Sequence, residues 1–356
     1  MTRERVHARL AVRLGPLSGV WRPRIVLVTL LGLAAVTLTL ALNVAVGDTP
    51  LSVGEVFTVL SGGGPRSHRY IVLDLRMPRT LAGILVGTAL GLSGAITQAV
   101  TRNPLASPDV LGVTAGASAA SVSIIVLGST SATVSAIGGS VGVPLAALLG
   151  GLLTAALVYA LAWRRGIEGF RLVLVGVAIG ASATALTSWL LIVAEVSDAA
   201  RATVWLTGSL NGRGWEHVVP VAVGLAVLVP VALLLSFVLG VLHLGDDTAS
   251  GLGARVDRDR AALIVVAVAL AALATAGAGP IAFVALVVPQ ICRRLAGTAR
   301  PPLLTSAIFG ALLVLAADVI ARTVPRTELP VGIVTAILGA PYLMWLLARG
   351  VRGARR

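Results

Sequence analysis

The charged side chains that flank the apolar runs of this chain are its best candidates for binding chemistry. Arg76 and Arg79 lie on either side of a Met-Pro pair, and Asp318 precedes Arg322 by four residues. A guanidinium group holds a carboxylate through two parallel hydrogen bonds, so these arginines suit an acidic partner. The i,i+4 spacing also lets Asp318 pair with Arg322 on one helix face. Snorkelling of Arg76 and Arg79 towards a membrane interface is the alternative interpretation.

The sequence offers no arrangement of residues for catalysis or metal binding. Its single cysteine, Cys292, excludes an internal disulfide and a multi-thiolate metal site. Its histidines all fall in predicted loops or termini: His7, His68, His217 and His243. An HExxH motif and paired carboxylates within the apolar runs are missing, which argues against an intramembrane enzyme. We therefore expect no catalytic site, cofactor or metal in this chain.

All 28 basic residues are arginine, which matters for any use of ATP. A P-loop needs a lysine that reaches the terminal phosphates of the nucleotide. This chain therefore cannot be a standard P-loop ATPase. If ATP drives its activity, a separate subunit must bind ATP and Mg²⁺ and hydrolyse the nucleotide.

The composition is that of a membrane protein. Hydrophobic residues make up 57% of the 356 residues and charged residues 12%, about half the charged fraction of a soluble domain. Apolar runs of about 20 residues recur, each long enough to cross a bilayer. We predict an all-α polytopic membrane protein with about ten transmembrane helices, at 25–47, 80–100, 111–128, 141–162, 172–194, 218–240, 261–276, 281–292, 303–320 and 332–348. The run at 281–292 is short and contains Pro289, so we expect a bent or partial crossing there.

The arginines are distributed unevenly around these runs. With a cytoplasmic N-terminus, 20 of them fall in cytoplasmic segments and 8 outside, in agreement with the positive-inside rule. This predicts cytoplasmic N- and C-termini, a basic N-terminal segment at 1–24, one transmembrane domain at 25–348 and a basic tail at 349–356. The net charge of +13 is then mostly a signal of topology, and we expect no nucleic acid as a partner.

Glycines and prolines mark close packing and breaks between the helices. Gly83, Gly87 and Gly91 recur every four residues, followed by Gly94, and this spacing lets helix backbones approach closely in lipid. The prolines and short polar residues within 102–112 predict a sharp break on the cytoplasmic side, either a plain turn or a rigid constriction. The segment 243–260 is the longest internal cytoplasmic loop, and its mixed charge suits docking to a soluble partner.

Five ordered motifs resemble the pattern of FecCD-type permeases, which belong to importers of ferric siderophores and vitamin B12. They are Arg76-Met77-Pro78-Arg79, Arg102-Asn103-Pro104-Leu105-Ala106 with Leu111-Gly112, Gly279-Pro280-Ile281-Ala282-Phe283-Val284 through Pro289, Ala317-Asp318 with Arg322, and Glu328-Leu329-Pro330-Val331-Gly332. The resemblance covers about residues 70–348. It implies ten helices, an inverted repeat that relates spans two to five with spans seven to ten, and a location in the bacterial cytoplasmic membrane.

The resemblance also implies partners and a substrate. The expected partners are ATP-binding cassette (ABC) ATPase subunits, a second permease that is identical or paralogous, an extracytoplasmic substrate-binding protein and the surrounding membrane lipid. The expected substrate is a ferric siderophore, with haem and cobalamin as alternatives. An ion-coupled secondary carrier is the competing class of transporter. Such carriers usually place ionisable groups at membrane depth, and the spans of this chain are nearly free of them.

By the same resemblance, three groups of residues would carry function. The arginines that would receive carboxylates of the binding protein are Arg76, Arg79 and Arg322. The inner gate would consist of Asn103, Leu105, Gly169 and Phe170. The loop that couples to the ATPase would contain Leu252, Gly253, Ala254, Arg255, Val256, Arg258 and Arg260. Gln290 stands where the family often has histidine, and Ala285 where it often has glycine, so no role of that histidine can be transferred.

Overall fold

The chain is almost entirely helical in the computed structural model, which describes residues 11–14, 17–20, 22–47, 49–128, 142–163, 169–324 and 327–353. Two short strands, β1 (Ala11–Leu14) and β2 (Leu17–Val20), pair in an antiparallel hairpin with Ala11 opposite Val20. No other strand occurs in these described ranges. The predicted all-α class is therefore confirmed for the described residues that follow the N-terminal segment.

The helices are numbered in chain order. The first seven are α1 (Pro23–Ala45), α2 (Val53–Leu60), α3 (Arg66–Arg69), α4 (Met77–Thr101), α5 (Val113–Gly128), α6 (Gly142–Ala162) and α7 (Gly169–Val193). The next seven are α8 (Val196–Leu206), α9 (Trp215–Leu242), α10 (Asp246–Gly251), α11 (Val256–Ala278), α12 (Val284–Ala296), α13 (Leu303–Thr323) and α14 (Val331–Gly353). A π-helical turn (Tyr70–Arg76) joins α3 to α4, and a 3₁₀ turn (Pro108–Leu111) precedes α5.

Each of the ten predicted spans coincides with one of the longer helices, which confirms the polytopic helical architecture. Among the described residues, seven helices are long and apolar enough to cross a membrane: α1, α4 with its upstream extension, α6, α7, α9, α11 and α13. α5 and α14 add shorter apolar stretches. α12 has 13 residues and contains Pro289, so it is as short as the sequence predicted. Whether it crosses the membrane fully or in part stays a prediction.

The sequence prediction missed the helix that precedes Pro78. We expected this span to begin close to the proline, but the chain is helical from Arg66 onwards. Pro78 has no N–H, so it cannot bond to the Asp74 carbonyl as an ordinary helical residue would. The Met77 N–H instead donates to the Val72 carbonyl, five residues back. This π-helical turn carries the helix past the proline.

α4 and α11 form the centre of the bundle. Both are mostly buried along their apolar windows, whereas α1, α7 and α9 are mostly exposed. α4 packs against α9, α11, α12 and α13, and fully buried side chains such as Leu92, Ile96 and Leu270 fill the space between these helices. The peripheral helices expose apolar side chains to the outside, as helices in contact with lipid do.

The glycines of α4 bring its backbone into direct contact with α12 and α13. Gly87 faces the backbone of Gly310, Gly91 faces that of Ser306, and Gly94 faces Ala285 on α12. At each of the three α4 glycines, a β-carbon would lie under 3.0 Å from a backbone atom of the neighbouring helix. This row of contacts, which we call the glycine seam, confirms the close packing predicted from the four-residue spacing.

The helix contacts repeat between two halves of the chain. α5 contacts α6 and α7 as α12 contacts α13 and α14, and the α6–α7 contact corresponds to the α13–α14 contact. Between the halves, α4 contacts α12 and α13 just as α11 contacts α5 and α6. A two-fold relation between spans two to five and spans seven to ten produces this pattern, in agreement with the predicted repeat.

The first connection in each half is built alike. Arg102 (φ 50°) ends α4 and Gly112 (φ 69°) leads into α5, while Gly279 (φ 76°) ends α11 and Phe283 (φ 67°) leads into α12. Arg102 and Phe283 are the only residues other than glycine with positive φ in the described part of the chain. A side chain in this region costs roughly 1–2 kcal/mol, so surrounding contacts must hold both breaks in place.

Gly87→Ala should destabilise the fold, because the added β-carbon would meet the backbone of Gly310. Overpacking of this kind costs about 1–3 kcal/mol, so we expect a lower thermal unfolding temperature of the purified protein in detergent. Gly180→Ala in α7 is the matched control, because a β-carbon there would lie 3.9 Å from the nearest atom of a neighbouring element, Gly112 Cα. Equal unfolding temperatures for the two variants would contradict the glycine seam.

Candidate functional site

The helix ends meet in two groups, one at each end of the bundle. α1 and α13 end where α4 begins, at what we call the predicted outer end. α4, α9 and α12 end near the start of α1 and α11, at the predicted inner end. The predicted docking arginines lie at the first, and the predicted gate and coupling residues lie at the second.

The carboxylate of Asp318 is the centre of a charged network at the predicted outer end. Its side chain is 1% exposed. Arg79 donates to it from Nη2 (2.7 Å) and Nε (3.1 Å), so one carboxylate joins α13 to α4. Arg322 Nε lies 3.3 Å from Asp318 Oδ2, which confirms the i,i+4 pair predicted from the sequence.

Asn43 links α1 to the same network. Its amide donates to Asp318 Oδ2 (3.1 Å), and its carbonyl oxygen accepts from Thr80 Oγ1 (3.0 Å) and Arg322 Nη2 (2.6 Å). Asn43 is itself 1% exposed. We call Asn43, Arg79, Thr80, Asp318 and Arg322 the Asp318 network. Because its members come from α1, α4 and α13, it holds three helix ends together.

Arg76 holds the segment that follows α1 through hydrogen bonds to its backbone. Arg76 is only 7% exposed. It therefore does not project from the outer surface, as an arginine that docks a binding protein was expected to do. Nη1 donates to the carbonyls of Val44 (2.8 Å) and Ala45 (2.9 Å), and Nη2 donates to that of Thr49 (2.6 Å). The π-helical turn before α4 therefore places this guanidinium under the segment after α1.

The three predicted docking arginines line one cavity of about 770 Å³ at this end. Arg213, Asp74, Glu216 and Glu328 contribute the other charged groups of its wall. Arg79 forms a second ion pair there with Glu328, whose side chain is 37% exposed. The structure thus brings Arg76, Arg79 and Arg322 together but gives each of them a partner within the chain. Their docking role stays a prediction.

A second cavity of about 770 Å³ is lined in part by hydroxyl groups. Its wall combines α5, α7 and α14 with the break at Pro280–Ala282, and it contains Thr114, Ser118, Thr184, Thr187, Ser188 and Thr207. On α7 the hydroxyl protons are used within the helix: Thr184 donates to Gly180 (2.9 Å) and Ser188 to Thr184 (3.1 Å). The hydroxyl oxygens are left to accept hydrogen bonds from the cavity. Asp109 is the one carboxylate in this wall.

The predicted inner gate is placed around a more apolar cavity of about 580 Å³. Asn103 and Leu105 line it together with Leu172 and Val173 from the start of α7. The Asn103 carbonyl oxygen accepts from the Leu105 N–H (2.9 Å), which stiffens the turn after α4. Gly169 and Phe170 belong to the first turn of α7, and their side chains lie outside the described residues. The cavity therefore brings Asn103 and Leu105 close to the start of α7. The gate role of all four residues stays a prediction.

The predicted coupling segment is partly helical. Leu252 is 64% exposed, Gly253 turns the chain with φ 85°, and Ala254 and Arg255 lead into α11. Val256, Arg258 and Arg260 belong to the first turns of α11. A short helix, α10, thus stands at the surface and is connected directly to a central helix. Its coupling role stays a prediction.

Asp246 ties this segment to the break after α4. Its carboxylate accepts from Arg260 (3.0 and 3.1 Å) and from Arg102 (2.8 Å), and Arg102 also donates to the Leu242 carbonyl (2.6 Å). The hydrogen bond from Arg260, followed by the charge of both arginines, lowers the pKa of Asp246. The carboxylate therefore stays charged around neutral pH.

Sequence reasoning missed Asn43 and Asp246. Asn43 is an amide within an apolar run, and a polar side chain at such a position signals a buried partner. Asp246 lies in the predicted coupling segment, but nothing in its local sequence points to Arg102, which is 144 residues away. Both residues gain their roles from contacts with residues that are distant in the sequence.

The fold and these sites define a transport subunit that crosses the membrane several times. The chain belongs to the FecCD transport family, whose profile matches residues 33–349. It is a multi-pass protein of the cytoplasmic membrane.

Individual relatives cover most of the chain. It is 42% identical to the ferric enterobactin transport system permease protein FepG of Escherichia coli (strain K12), over 86% of this chain and 91% of the relative. It is 37% identical to the iron(3+)-hydroxamate import system permease protein FhuG of Bacillus subtilis (strain 168), over 92% and 98%. A solved structure described as an inward-facing conformation of a metal-chelate type ABC transporter aligns with a TM-score of 0.79 at 27% identity, over 90% of this chain and 99% of that one.

Asp318→Asn should destabilise the protein strongly, because it removes the charge that two buried arginines share. Breaking a buried ion pair costs about 3–5 kcal/mol, which we expect as a lower unfolding temperature in detergent. Asp74→Asn at the same end is the matched control, because Asp74 is exposed. If Asp318→Asn were as stable as Asp74→Asn, the network would not hold the helix ends together.

Proposed function

We propose that this chain is the permease subunit of an ABC importer that carries a ferric siderophore across the cytoplasmic membrane. The observation that carries the proposal is its similarity, over more than four-fifths of its length, to permeases named for ferric enterobactin and iron(3+)-hydroxamate. The absence of lysine from the chain assigns ATP hydrolysis to a separate subunit, because a P-loop requires that residue.

The hydroxyl-lined cavity is the proposed wall of the translocation path. A helix that faced only lipid would gain nothing from exposed hydroxyl groups, yet α7 exposes Ser182, Thr184 and Ser188. A second permease packed against this face would enclose the path between the two copies. Hydroxyl oxygens bind a polar chelate weakly, and a path must release what it binds.

The inner end is the proposed site of coupling to the ATPase. α10 and Leu252 form an exposed projection on which an ATPase subunit can act. Asp246 connects this projection to Arg102, and Arg102 directly precedes the gate residues Asn103 and Leu105. A movement of the ATPase would then be transmitted to the gate through the ion pair between Asp246 and Arg102.

The outer cavity is the proposed docking site of a substrate-binding protein. Arg79 already holds Glu328, but this carboxylate is partly exposed and comes from the segment before α14. An acidic side chain of the binding protein can therefore exchange with Glu328 while Asp318 keeps its own contacts. In this scheme docking uses Arg79 from the cavity side, and Arg76 and Arg322 shape the wall.

The test is transport by the complex that copurifies with this chain, reconstituted in proteoliposomes. We expect uptake of iron-55 ferric enterobactin or a ferric hydroxamate that requires ATP, the ATPase and the binding protein. Uptake driven by a sodium or proton gradient, with no ATPase bound, would contradict the importer and favour a secondary carrier. A complex that took up haem or cobalamin instead would confirm the importer and overturn the siderophore assignment.

Glu328→Gln should strengthen docking, because it removes the internal competitor for Arg79. We expect the dissociation constant between the copurified binding protein and the permease to fall about threefold to tenfold, measured by surface plasmon resonance. Glu195→Gln is the control with the same change of charge at the same end, because Glu195 is exposed and its side chain does not cap α8. Unchanged or weaker binding by Glu328→Gln would contradict the exchange.

A further inference from the structure

A small cavity at the predicted inner end is lined by guanidinium groups and by no carboxylate. It has a volume of about 80 Å³ and lies where α4, α9 and α12 end. Arg102, Arg293 and Arg300 line it, together with Gln98 and Gln290, and its lining contains no Asp or Glu. Guanidinium charges around so small a space repel one another unless a negative group joins them.

Two of these arginines lack an acidic partner. Arg102 pairs with Asp246 outside the cavity, but within the described part of the chain no carboxylate lies within 4.0 Å of Arg293 or Arg300. Arg300 donates to the Ser236 carbonyl (3.2 Å). Burial, and then the charge of Arg22, lowers the pKa of Arg300. An anion in the cavity would relieve this repulsion.

Arg293 lines the cavity and is held in place by a neighbouring amide. Its Nη2 donates to the Gln290 carbonyl oxygen (3.1 Å), and Gln290 in turn donates to Gln98 (2.5 Å). This chain of buried amides fixes the orientation of the guanidinium. Its Nε is buried and has no hydrogen-bond partner among the described residues, and a buried donor without a partner is unfavourable.

The surroundings resemble a membrane–water interface. Arg24, in the first turn of α1, donates to the Leu295 carbonyl (2.6 Å), and Arg294 lies over the ring of Trp345 (4.7 Å to the centroid). Tryptophan and arginine at the ends of apolar helices are typical of headgroup depth. On one side the cavity borders α9, whose exposed apolar residues include Leu234 and Phe237.

We propose that this cavity binds a phosphate group through the guanidinium groups of Arg293 and Arg300, with an anionic phospholipid headgroup as the source. Guanidinium donors match the oxygens of a phosphate, and the charge of the phosphate neutralises the arginines that no carboxylate reaches. Free inorganic phosphate has the same chemistry and is the second source. Gln290 gains a role here, because it positions Arg293. The proposal does not depend on the transported substrate.

The test compares ligands on the purified full-length chain in detergent, without its partners. We expect phosphatidylglycerol to raise the unfolding temperature and to remain bound in native mass spectrometry, and phosphatidylcholine to do so far less. Arg293→Ala and Arg300→Ala should each weaken phosphatidylglycerol binding about tenfold. Arg171→Ala removes a charge from a partly exposed arginine at the same end and outside the cavity, so its binding should equal that of the wild type.

The outcomes distinguish a phospholipid from free phosphate as the ligand, and some of them would overturn the proposed site. Stabilisation by inorganic phosphate at millimolar concentration, lost in Arg293→Ala, would support the site with free phosphate as its ligand. Equal loss in Arg171→Ala would overturn the proposal, since general attraction between charges would then explain the binding. Full binding by both Arg293→Ala and Arg300→Ala would overturn it as well. Unfolding temperatures measured without added ligand show whether each variant is folded. If one of the two cavity variants does not fold, the other still tests the proposal.

Discussion

The buried carboxylate of Asp318 is the constraint on which the rest of this structure depends. A charge in such a position is tolerated only when opposite charges and hydrogen-bond donors surround it. Arg79, Arg322 and Asn43 supply them, and they come from α4, α13 and α1. The ends of three helices must therefore meet in one register. Deeper in the membrane, the glycine seam lets the backbones of α4 and α13 meet without intervening side chains.

These two features divide the bundle into a fixed part and a working face. The fixed part contains α1, α4 and α13, locked at the outer end by charge and along their length by close packing. The working face carries the hydroxyl-lined cavity on α5, α7 and α14. The left-handed break after α4 connects the fixed part to α5, and the break before α12 contributes to the wall of the hydroxyl-lined cavity. A permease that moves as rigid bodies about its pathway needs such a division.

Much of the architecture could be predicted from the sequence, because apolar runs and arginine placement are local or additive signals. All ten spans, the glycine packing and the Asp318–Arg322 pair follow from residues less than one span apart. The helix before Pro78 could not be predicted, because proline is typical of a helix start and only the π-helical turn carries the helix through it. The Arg79–Asp318 pair joins residues 239 positions apart, and no local pattern indicates such a contact. For the same reason, the buried positions of Arg76 and Asn43 were not expected.

The central claim is that the Asp318 network and the glycine seam make α1, α4 and α13 one rigid body. Distances between paired spin labels test it most directly, in the copurified complex with and without ATP and in a Cys292→Ser background. Labels at Asp74 and Val324 report on the fixed part, and labels at Val324 and Ile192 span from it to the end of α7; all three positions are exposed. The account predicts an unchanged first distance and a shifted second one. A first distance that changes with ATP would contradict it.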